Sequence, residues 1–276
     1  MSSIKDRQRA AARARLEKEM AERSAAARKR RQRQAIIGSA IAVVLIAGAG
    51  VWLVTALNSK DDDKTTAASS TPAGTVACTW TPEDASAGGK IKDVGTPGPN
   101  APNTGTDTMT IATSLGDIVA TVDRTKVPCT AAAFEFLASK KFWDNSKCHR
   151  LVTEGIKVLQ CGDPSATGKG YRETDGQGGP SFRYPEENLP TGQPPYPTGT
   201  IAMAKTQAPG STGSQFFLNY GDNALDPSYT LLGKITKGME IVQAVAKGGS
   251  DNANQPGDGH PKKEITIKSI TMAPAA

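Results

Sequence analysis

Short runs in which apolar and polar residues alternate fill the second half of the chain. Residues 109–113 and 118–122 alternate in this way on either side of a turn at 115–117, which predicts a β-hairpin. Because successive side chains of a strand point to opposite faces, this pattern is typical of strands with one buried face. Further strands are predicted at residues 149–152, 157–161, 200–204, 215–218, 230–236 and 264–272.

Two segments have a helical rather than an alternating character. Residues 128–137 begin with Pro128, which suits the first turn of a helix, and their apolar residues Phe134 and Leu137 can share one buried face. Residues 239–247 form a second predicted helix, because Gly248 follows them as a stop signal. Residues 164–198 are a long connection rich in Gly and Pro, which is uncommon in a compact domain unless it is functional or disordered.

These elements predict a mainly β fold for residues 108–272. Eight short strands and two helices favour a closed eight-stranded antiparallel barrel with a helix covering each end. The physical reason is that closure removes the exposed edges that short strands otherwise present.

A different hydrophobic pattern precedes this domain. Residues 35–57 run for 23 positions without a charge, and as a helix they would measure about 34 Å, enough to cross a hydrocarbon core of about 30 Å. Basic residues crowd positions 28–33 just before the run, whereas residues 60–64 after it carry no positive excess. The positive-inside rule therefore predicts a single-pass cell-membrane protein with residues 1–34 in the cytoplasm and the C-terminal domain extracytoplasmic. The alternative is a cleaved secretory signal, although such apolar runs are typically shorter.

Positive charge is concentrated in the N-terminal arm, residues 1–34. The arm holds twelve Lys and Arg against four Asp and Glu, a net of +8, while the whole chain carries +6. A basic protein often binds nucleic acid. Here the basic residues flank a predicted membrane span, so we expect the arm to contact anionic lipid head groups and expect no nucleic-acid partner. A coiled-coil or RNA-binding role for the arm is the less favoured alternative.

The four cysteines all follow the hydrophobic run. Residues 58–107 have the composition of a linker, but Cys78 and Trp80 within them indicate a short extension pinned to the domain. An even number of cysteines in an exported domain predicts two disulfides, and three pairings are possible. A metal site is disfavoured, because the chain has only two histidines and no C-x-x-C spacing. The disulfide candidates are Cys78, Cys129, Cys148 and Cys161.

Two groups of motifs about fifty residues apart suggest chemistry. CHRL at 148–151 leads to VLQCGD at 158–163, and GTIAMA at 199–204 leads to GSQFF at 213–217. Together they resemble the two halves of the active site of the cyclophilin-type peptidyl-prolyl cis/trans isomerases. The resemblance implies a cyclophilin-like barrel that rotates X-Pro bonds in proline-containing polypeptides.

Rotation of an X-Pro bond requires no nucleophile, metal or proton transfer, so we expect no cofactor. The barrier of about 18–20 kcal/mol comes from amide resonance, and a donor to the prolyl nitrogen favours the twisted state. Arg150 suits this role because it is permanently charged and presents a rigid fork of donors, which Gln160 on the next strand can orient. The resemblance implies that Arg150 and Gln160 are the catalytic pair; the alternative for Arg150 is a surface arginine.

The resemblance also implies a pocket for the proline ring. Phe217 is its floor, while Phe216 points to the other face of the strand and belongs to the core. His149 is expected to be a core histidine with satisfied hydrogen bonds rather than a base. The implied substrate-binding residues are Val158, Ala204, Gln215, Phe217, Leu225 and Tyr229.

Four positions depart from the family pattern. Lys157 stands where Phe is usual, Ala224 replaces an aromatic residue, Tyr229 replaces His and Lys205 replaces Asn. These changes predict a more open pocket, in which one lost aromatic wall weakens burial of a proline ring by about 1–2 kcal/mol. Lys157 is also placed where its side chain could plug the pocket.

These observations predict a membrane-tethered isomerase of a bacterial envelope that acts on exported polypeptides. Lys157 and Ala224 favour the chief alternative, a non-catalytic module that binds proline peptides. A structural scaffold of the envelope, with the basic arm as its contact, is the third possibility.

Overall fold

The computed structural model describes residues 72–83 and 90–275, which belong to a compact unit spanning Ser69–Ala276. The basic arm, the hydrophobic run 35–57 and the first part of the linker lie outside the described residues, so the membrane span stays a prediction. Within the described ranges, no helix combines the length and the apolar character that crossing a bilayer requires.

Fifteen strands and two helices make up the described part of the chain. The helices are α1 (Pro128–Ser139) and α2 (Met239–Gly248). The strands are β1 (Thr75–Ala77), β2 (Thr81–Pro82), β3 (Lys90–Lys92), β4 (Asn100–Pro102), β5 (Thr106–Thr113), β6 (Gly116–Asp123), β7 (Arg150–Val152), β8 (Val158–Cys161), β9 (Gly178–Pro180), β10 (Phe182–Arg183), β11 (Thr200–Met203), β12 (Phe216–Asn219), β13 (Leu231–Lys237), β14 (Asp258–Gly259) and β15 (Ile267–Pro274).

A nine-stranded antiparallel sheet forms the body of the domain, in the order β14-β7-β8-β12-β11-β13-β6-β5-β15. Each of the eight predicted strands corresponds to one strand of this sheet, with ends shifted by up to three residues. The ninth strand, β14, is only two residues long, too short for an alternating pattern to predict it. Register shifts in the pairs β11–β13, β13–β6 and β15–β5 mark bulges, which increase local twist and so curl the sheet.

The curled sheet is a half-barrel, and the prediction of a closed eight-stranded barrel was wrong. The terminal strands β14 and β15 do not pair with each other in the described sheet. Near this gap the backbone of Asn145 donates to Ile267 at 2.8 Å, and a single isolated bridge joins Lys147 to Thr266. A few hydrogen bonds from the irregular segment before β7 therefore cover the start of β15, in place of a closing ladder.

One apolar cluster fills the inside of the sheet. Burial alternates along β5 and β6, as the sequence pattern predicts. Helix α1 adds Phe134, whose ring centroid lies 5.0 Å from that of Trp143 and 5.8 Å from that of Phe216. Phe216 is therefore a core residue, on the face that the alternation assigns to it.

Helix α2 begins directly after a tight turn. Gly238 has a φ of 89°, in the left-handed region, and a Cβ at this position would lie 2.4 Å from the carbonyl oxygen of Asp117. Only glycine fits such a place without moving the backbone. Val242 and Val245 then point inward from the helix.

The residues before the predicted domain (108–272) pack against it as a strap, defined here as residues 72–83 and 90–102. Strand β1 pairs with β4, β2 pairs with β10, and β3 runs parallel to β9. The Trp80 ring packs edge-on against Phe182 and Tyr184, with centroids at 5.4 and 5.5 Å. The strap is thus integrated by sheet pairing and aromatic packing, beyond the short pinned piece that Cys78 indicates.

Both disulfides form, which resolves the pairing that the sequence leaves open. Cys78 bonds to Cys129 at the start of α1 and so attaches the strap to the domain. Cys148 bonds to Cys161, with Cα atoms 3.9 Å apart. The first crosslink joins residues 51 positions apart and the second joins residues 13 apart, so the first removes more chain entropy from the unfolded state.

Helix α1 is capped from a distant part of the chain. Val127 precedes the helix and provides no side-chain cap. Instead the Glu187 carboxylate, in the long connection, accepts the backbone N–H groups of Cys129 at 3.0 Å and Thr130 at 2.8 Å. An anion at this end satisfies otherwise unpaired donors and complements the helix dipole. The cap therefore anchors the connection to the helix.

We expect Glu187→Gln to lower the free energy of unfolding by about 1–2 kcal/mol, because the helix loses a charged cap. Urea denaturation of residues 69–276 measures the change. Glu173→Gln, in an exposed loop, is the matched control and should stay within about 0.5 kcal/mol of the parent. Equal effects of the two substitutions would contradict the capping role.

Candidate active site

Three neighbouring strands bring the predicted residues of both motif groups into one row. Arg150 on β7 pairs with Gln160 on β8, and Gln160 pairs with Phe217 on β12. Directly opposed residues of an antiparallel pair present their side chains on the same face. The register therefore places a guanidinium, an amide and an aromatic ring side by side on the outer face of the sheet.

A pocket of about 170 Å³, called the notch below, lies over this row. Phe217, only 6% exposed, lies at its base. Tyr229 packs edge-on to Phe217 with ring centroids 5.7 Å apart. The residues that line the notch are Arg150, Ile156, Val158, Gln160, Ala204, Lys205, Phe217, Leu225 and Tyr229.

Tyr196 supports one wall of the notch from behind and was missed by sequence reasoning. Its hydroxyl accepts the backbone N–H of Tyr229 at 2.9 Å and lies 3.1 Å from the carbonyl oxygen of Asp226. Burial raises the pKa of Tyr196 to about 12, so the hydroxyl stays neutral and able to donate. The loop that carries Leu225 and Tyr229 is thereby held against the sheet.

A chain of polar side chains crosses the site next to the notch. Arg150 Nη1 donates to Gln160 Oε1 at 3.4 Å, and Gln160 Nε2 donates to Gln215 Oε1 at 3.0 Å. Gln215 Nε2 in turn donates to the carbonyl oxygens of Gly176 and Gly178 at 2.7 and 2.9 Å. Each amide is fixed by its neighbours, so the orientation of the row is set before any ligand binds.

Arg150 also forms a two-pronged ion pair that the sequence did not indicate. Its Nε and Nη2 donate to the two carboxylate oxygens of Asp258, at 2.9 and 2.6 Å. Hydrogen bonding from Arg150 holds the pKa of Asp258 below its usual value, and the same contact raises the pKa of Arg150. The arginine is therefore an oriented side chain and not a freely moving surface residue.

A second, more polar recess of about 300 Å³ adjoins the notch across Ala204 and Lys205. Arg183 lies in it and donates to both carboxylate oxygens of Glu83, a strap residue, at 2.7 and 3.1 Å. Lys205 lies 3.5 Å from a carboxylate oxygen of Glu186. Each of the cations Arg150, Arg183 and Lys205 beside the notch and the recess thus has an acidic partner supplied by a peripheral segment.

The structure corrects the expected place of Lys157. Its Nζ donates to the carbonyl oxygen of Thr153, and its side chain packs beside Gly221, outside the notch. Ile156 takes the wall position instead. The period-2 rule would have predicted this, because Ile156 and Val158 share one face of the chain while Lys157 faces the other way.

The other predicted site residues lie together. Seven of them line the notch, and Gln215 lines the adjoining recess. Ala224 is exposed and does not line the notch, so the aromatic wall expected from the family pattern is missing on that side.

His149 is buried behind the site and is 4% exposed. Neither ring nitrogen has a hydrogen-bond partner among the described residues. Burial lowers the pKa of His149 to about 4, so the ring is neutral at pH 7. In the described ranges, no group of three or more His, Cys, Asp or Glu side chains has the geometry to hold a metal ion.

Comparisons of sequence and of structure identify proteins that are similar to this chain. The family model "Cyclophilin type peptidyl-prolyl cis-trans isomerase/CLD" matches residues 108–272. A Mycobacterium leprae protein named "Probable peptidyl-prolyl cis-trans isomerase B" is 38% identical over 190 residues, which cover 63% of this chain and 61% of that protein. The chain therefore spans less than two thirds of the length of this curated relative.

Solved structures share the fold. The crystal structure of a Cryptosporidium parvum cyclophilin type peptidyl-prolyl cis-trans isomerase matches with a TM-score of 0.52 and 25% identity, covering 62% of this chain and 99% of that one. The structure of the same isomerase in the presence of the dipeptide Ala-Pro matches with a TM-score of 0.50 and 26% identity, covering 61% and 99%. With its motifs, its curled sheet and these matches, the chain belongs to the cyclophilin-type peptidyl-prolyl cis-trans isomerase family.

Proposed function

We propose that this protein catalyses cis/trans isomerisation of X-Pro bonds in exported polypeptides. The observation that carries the proposal is the Arg150 guanidinium beside a notch based on Phe217, with both groups set by one register across β7, β8 and β12. Membership of the family supports the reaction class.

The notch holds the proline ring while the other side of the bond rotates. A pocket of about 170 Å³ lined by Phe217, Val158, Leu225 and Tyr229 suits an apolar ring of this size. Burying the ring removes apolar surface from water, which favours binding in either isomer. Because binding that is equal for ground and twisted states does not raise kcat, the acceleration must come from a polar group.

Arg150 supplies that group in our proposal. As the bond twists, amide resonance is lost and the prolyl nitrogen gains a lone pair that can accept a hydrogen bond. Arg150 lines the notch, and Nη1 is the one guanidinium nitrogen that Asp258 does not hold, so an N–H there can be donated as the lone pair forms. Each 1.4 kcal/mol supplied only to the twisted state raises the rate about tenfold.

We further propose that the domain is tethered to the outer face of a cell membrane through residues 35–57, with the arm 1–34 on anionic lipids inside. The charge-free run and its basic flank support this orientation. Two disulfides in the described part of the chain are consistent with an oxidising compartment. The substrates are then proline-containing segments of polypeptides that emerge on that side.

A binding module without catalysis is the second candidate. The exposed position of Ala224 favours it, because the notch lacks an aromatic wall there and encloses a ring less completely. The orientation of Arg150 toward the notch favours catalysis, since binding alone does not need a preorganised donor.

We expect Arg150→Ala to lower kcat/KM on a proline peptide by about 100- to 1,000-fold, the usual effect of removing one preorganised donor. Arg150→Lys keeps the charge but loses the fork, and should also be impaired. NMR exchange spectroscopy on the full-length chain in detergent micelles measures the rate.

Lys268→Ala, at an exposed position of β15, is the control and should retain activity. If wild type and Arg150→Ala both match the uncatalysed rate, the enzymatic proposal is wrong. Saturable peptide shifts around Phe217 without faster exchange would instead support the binding module.

We expect Phe217→Ala to raise KM more than it lowers kcat, because the residue mainly buries the ring. The loss of one aromatic surface corresponds to about 1.5–3 kcal/mol, or roughly 10- to 100-fold in KM. Steady-state kinetics with the same peptide separates the two constants. Leu115→Ala, at an exposed apolar position, is the matched control, and an unchanged KM in Phe217→Ala would contradict the assignment.

For the tether, we expect the full-length chain expressed in bacteria to resist extraction from membranes by alkaline carbonate, and residues 69–276 alone to be released. Protease added to intact spheroplasts should reach the C-terminal domain but leave the arm protected. Release of the full-length chain by carbonate would refute the membrane span.

A further inference from the structure

Asp258 stands out because it contacts the proposed catalytic arginine from outside the predicted barrel strands. It lies on the two-residue strand β14, which pairs with β7 through Asp258–Val152 and Gly259–Leu151. Its side chain is 6% exposed, whereas that of Arg150 is 39% exposed. A nearly buried carboxylate therefore faces a half-exposed guanidinium.

We propose that Asp258 is a positioning residue for Arg150. It holds the guanidinium so that one nitrogen stays free to donate a hydrogen bond to the twisted X-Pro bond. The inference rests on the proposed function. It adds a residue that neither the motifs nor the row of notch residues includes.

The geometry of the ion pair leaves one corner of the fork available. Asp258 accepts from Nε at 2.9 Å and from Nη2 at 2.6 Å, so one whole edge of the guanidinium is held by two parallel hydrogen bonds. Nη1 is the remaining nitrogen, and its contact with Gln160 is long, at 3.4 Å. A long contact is readily exchanged for a better acceptor, such as the lone pair of a twisted prolyl nitrogen.

Fixing that edge matters because the arginine side chain is long. A free arginine loses rotamer entropy when it is immobilised, and this loss opposes ordering of the donor. A two-pronged carboxylate removes most of that freedom before the substrate binds, so the donor need not be ordered during the reaction. Without Asp258, only the 3.4 Å contact with Gln160 would orient the group among the described side chains.

The carboxylate is itself held by a built turn. Asn254 Nδ2 donates to Asp258 Oδ1 at 3.0 Å, and the backbones of Gln255 and Asp258 form a bridge. Asn252 Oδ1 accepts the N–H of Gly257 at 2.9 Å, and Gly257 has a φ of 75°. Residues 250–259 thus form a rigid support for one acidic side chain rather than a loose surface loop.

The test compares Asp258→Asn with wild type in the full-length chain in detergent micelles. Asn keeps the size but offers one acceptor oxygen, so we expect kcat about tenfold lower with KM within about twofold. In the ¹⁵N spectrum, the Arg150 Nε–Hε signal should be protected from exchange in wild type and broadened or lost in the variant. Asp117→Asn, at an exposed position of β6, is the matched control and should change neither.

A second variant keeps the test decisive if Asp258→Asn fails to fold. Asn254→Ala leaves the carboxylate in place but removes its support, and should lower kcat about threefold while weakening protection of the same Nε–Hε signal. Thermal unfolding identifies any variant that is not folded.

Several outcomes would overturn the positioning role. An unchanged kcat in folded Asp258→Asn would do so, as would a rise in KM with kcat intact, since the carboxylate would then serve binding. If wild type and Arg150→Ala both show the uncatalysed rate, the proposed function fails and the positioning role fails with it. A slow Asp258→Asn beside a fast wild type and an inactive Arg150→Ala supports both.

Discussion

The pairing register across β7, β8 and β12 is the constraint on which the notch and its row of side chains depend. Arg150 lies opposite Gln160, and Gln160 lies opposite Phe217, so a slip of one residue would turn at least one of these side chains toward the core. The core makes such a slip costly, because Phe216, the neighbour of Phe217, is fully buried beside the Phe134 ring. Packing on one face therefore fixes chemistry on the other.

The cations around the notch and the recess are paired with acidic residues from outside β7, β8, β11 and β12. Glu83 comes from the strap, Glu186 from the long connection and Asp258 from the turn that ends in β14. Such pairs are worth little as stability when exposed, but a two-pronged carboxylate holds an arginine in one orientation. The acidic residues of these peripheral segments thus hold the basic side chains in place beside the notch and the recess.

The strap and the long connection also link the site to the stability of the domain. The Cys78–Cys129 disulfide ties the strap to the first turn of α1, and Glu187 caps that same turn from the connection. Glu83, the residue directly after β2, lies in the recess beside the notch and pairs there with Arg183. The strap and the long connection therefore each contact both the start of α1 and the surroundings of the notch.

Prediction from sequence succeeded where the signal was local. Alternation located eight strands, and the predicted site residues include seven that line the notch and Gln215 in the recess. The misplacement of Lys157 was avoidable, because period-2 alternation assigns Ile156 to the face of Val158. The closed barrel was wrong because closure depends on how irregular segments near residues 145 and 266 meet, which no local pattern encodes.

By itself, the sequence determined the strand periodicity, the family and the motif that contains Arg150, because each depends on residues close together in the chain or on ordered motifs. Only the tertiary structure decided the disulfide pairing, the open half-barrel and the partners of the cations. Asp258 is 108 residues from Arg150, and Glu83 is 100 residues from Arg183. Contacts over such separations arise from the way the whole sheet curls. The local sequence around a carboxylate in a polar loop does not indicate which side chain it will contact.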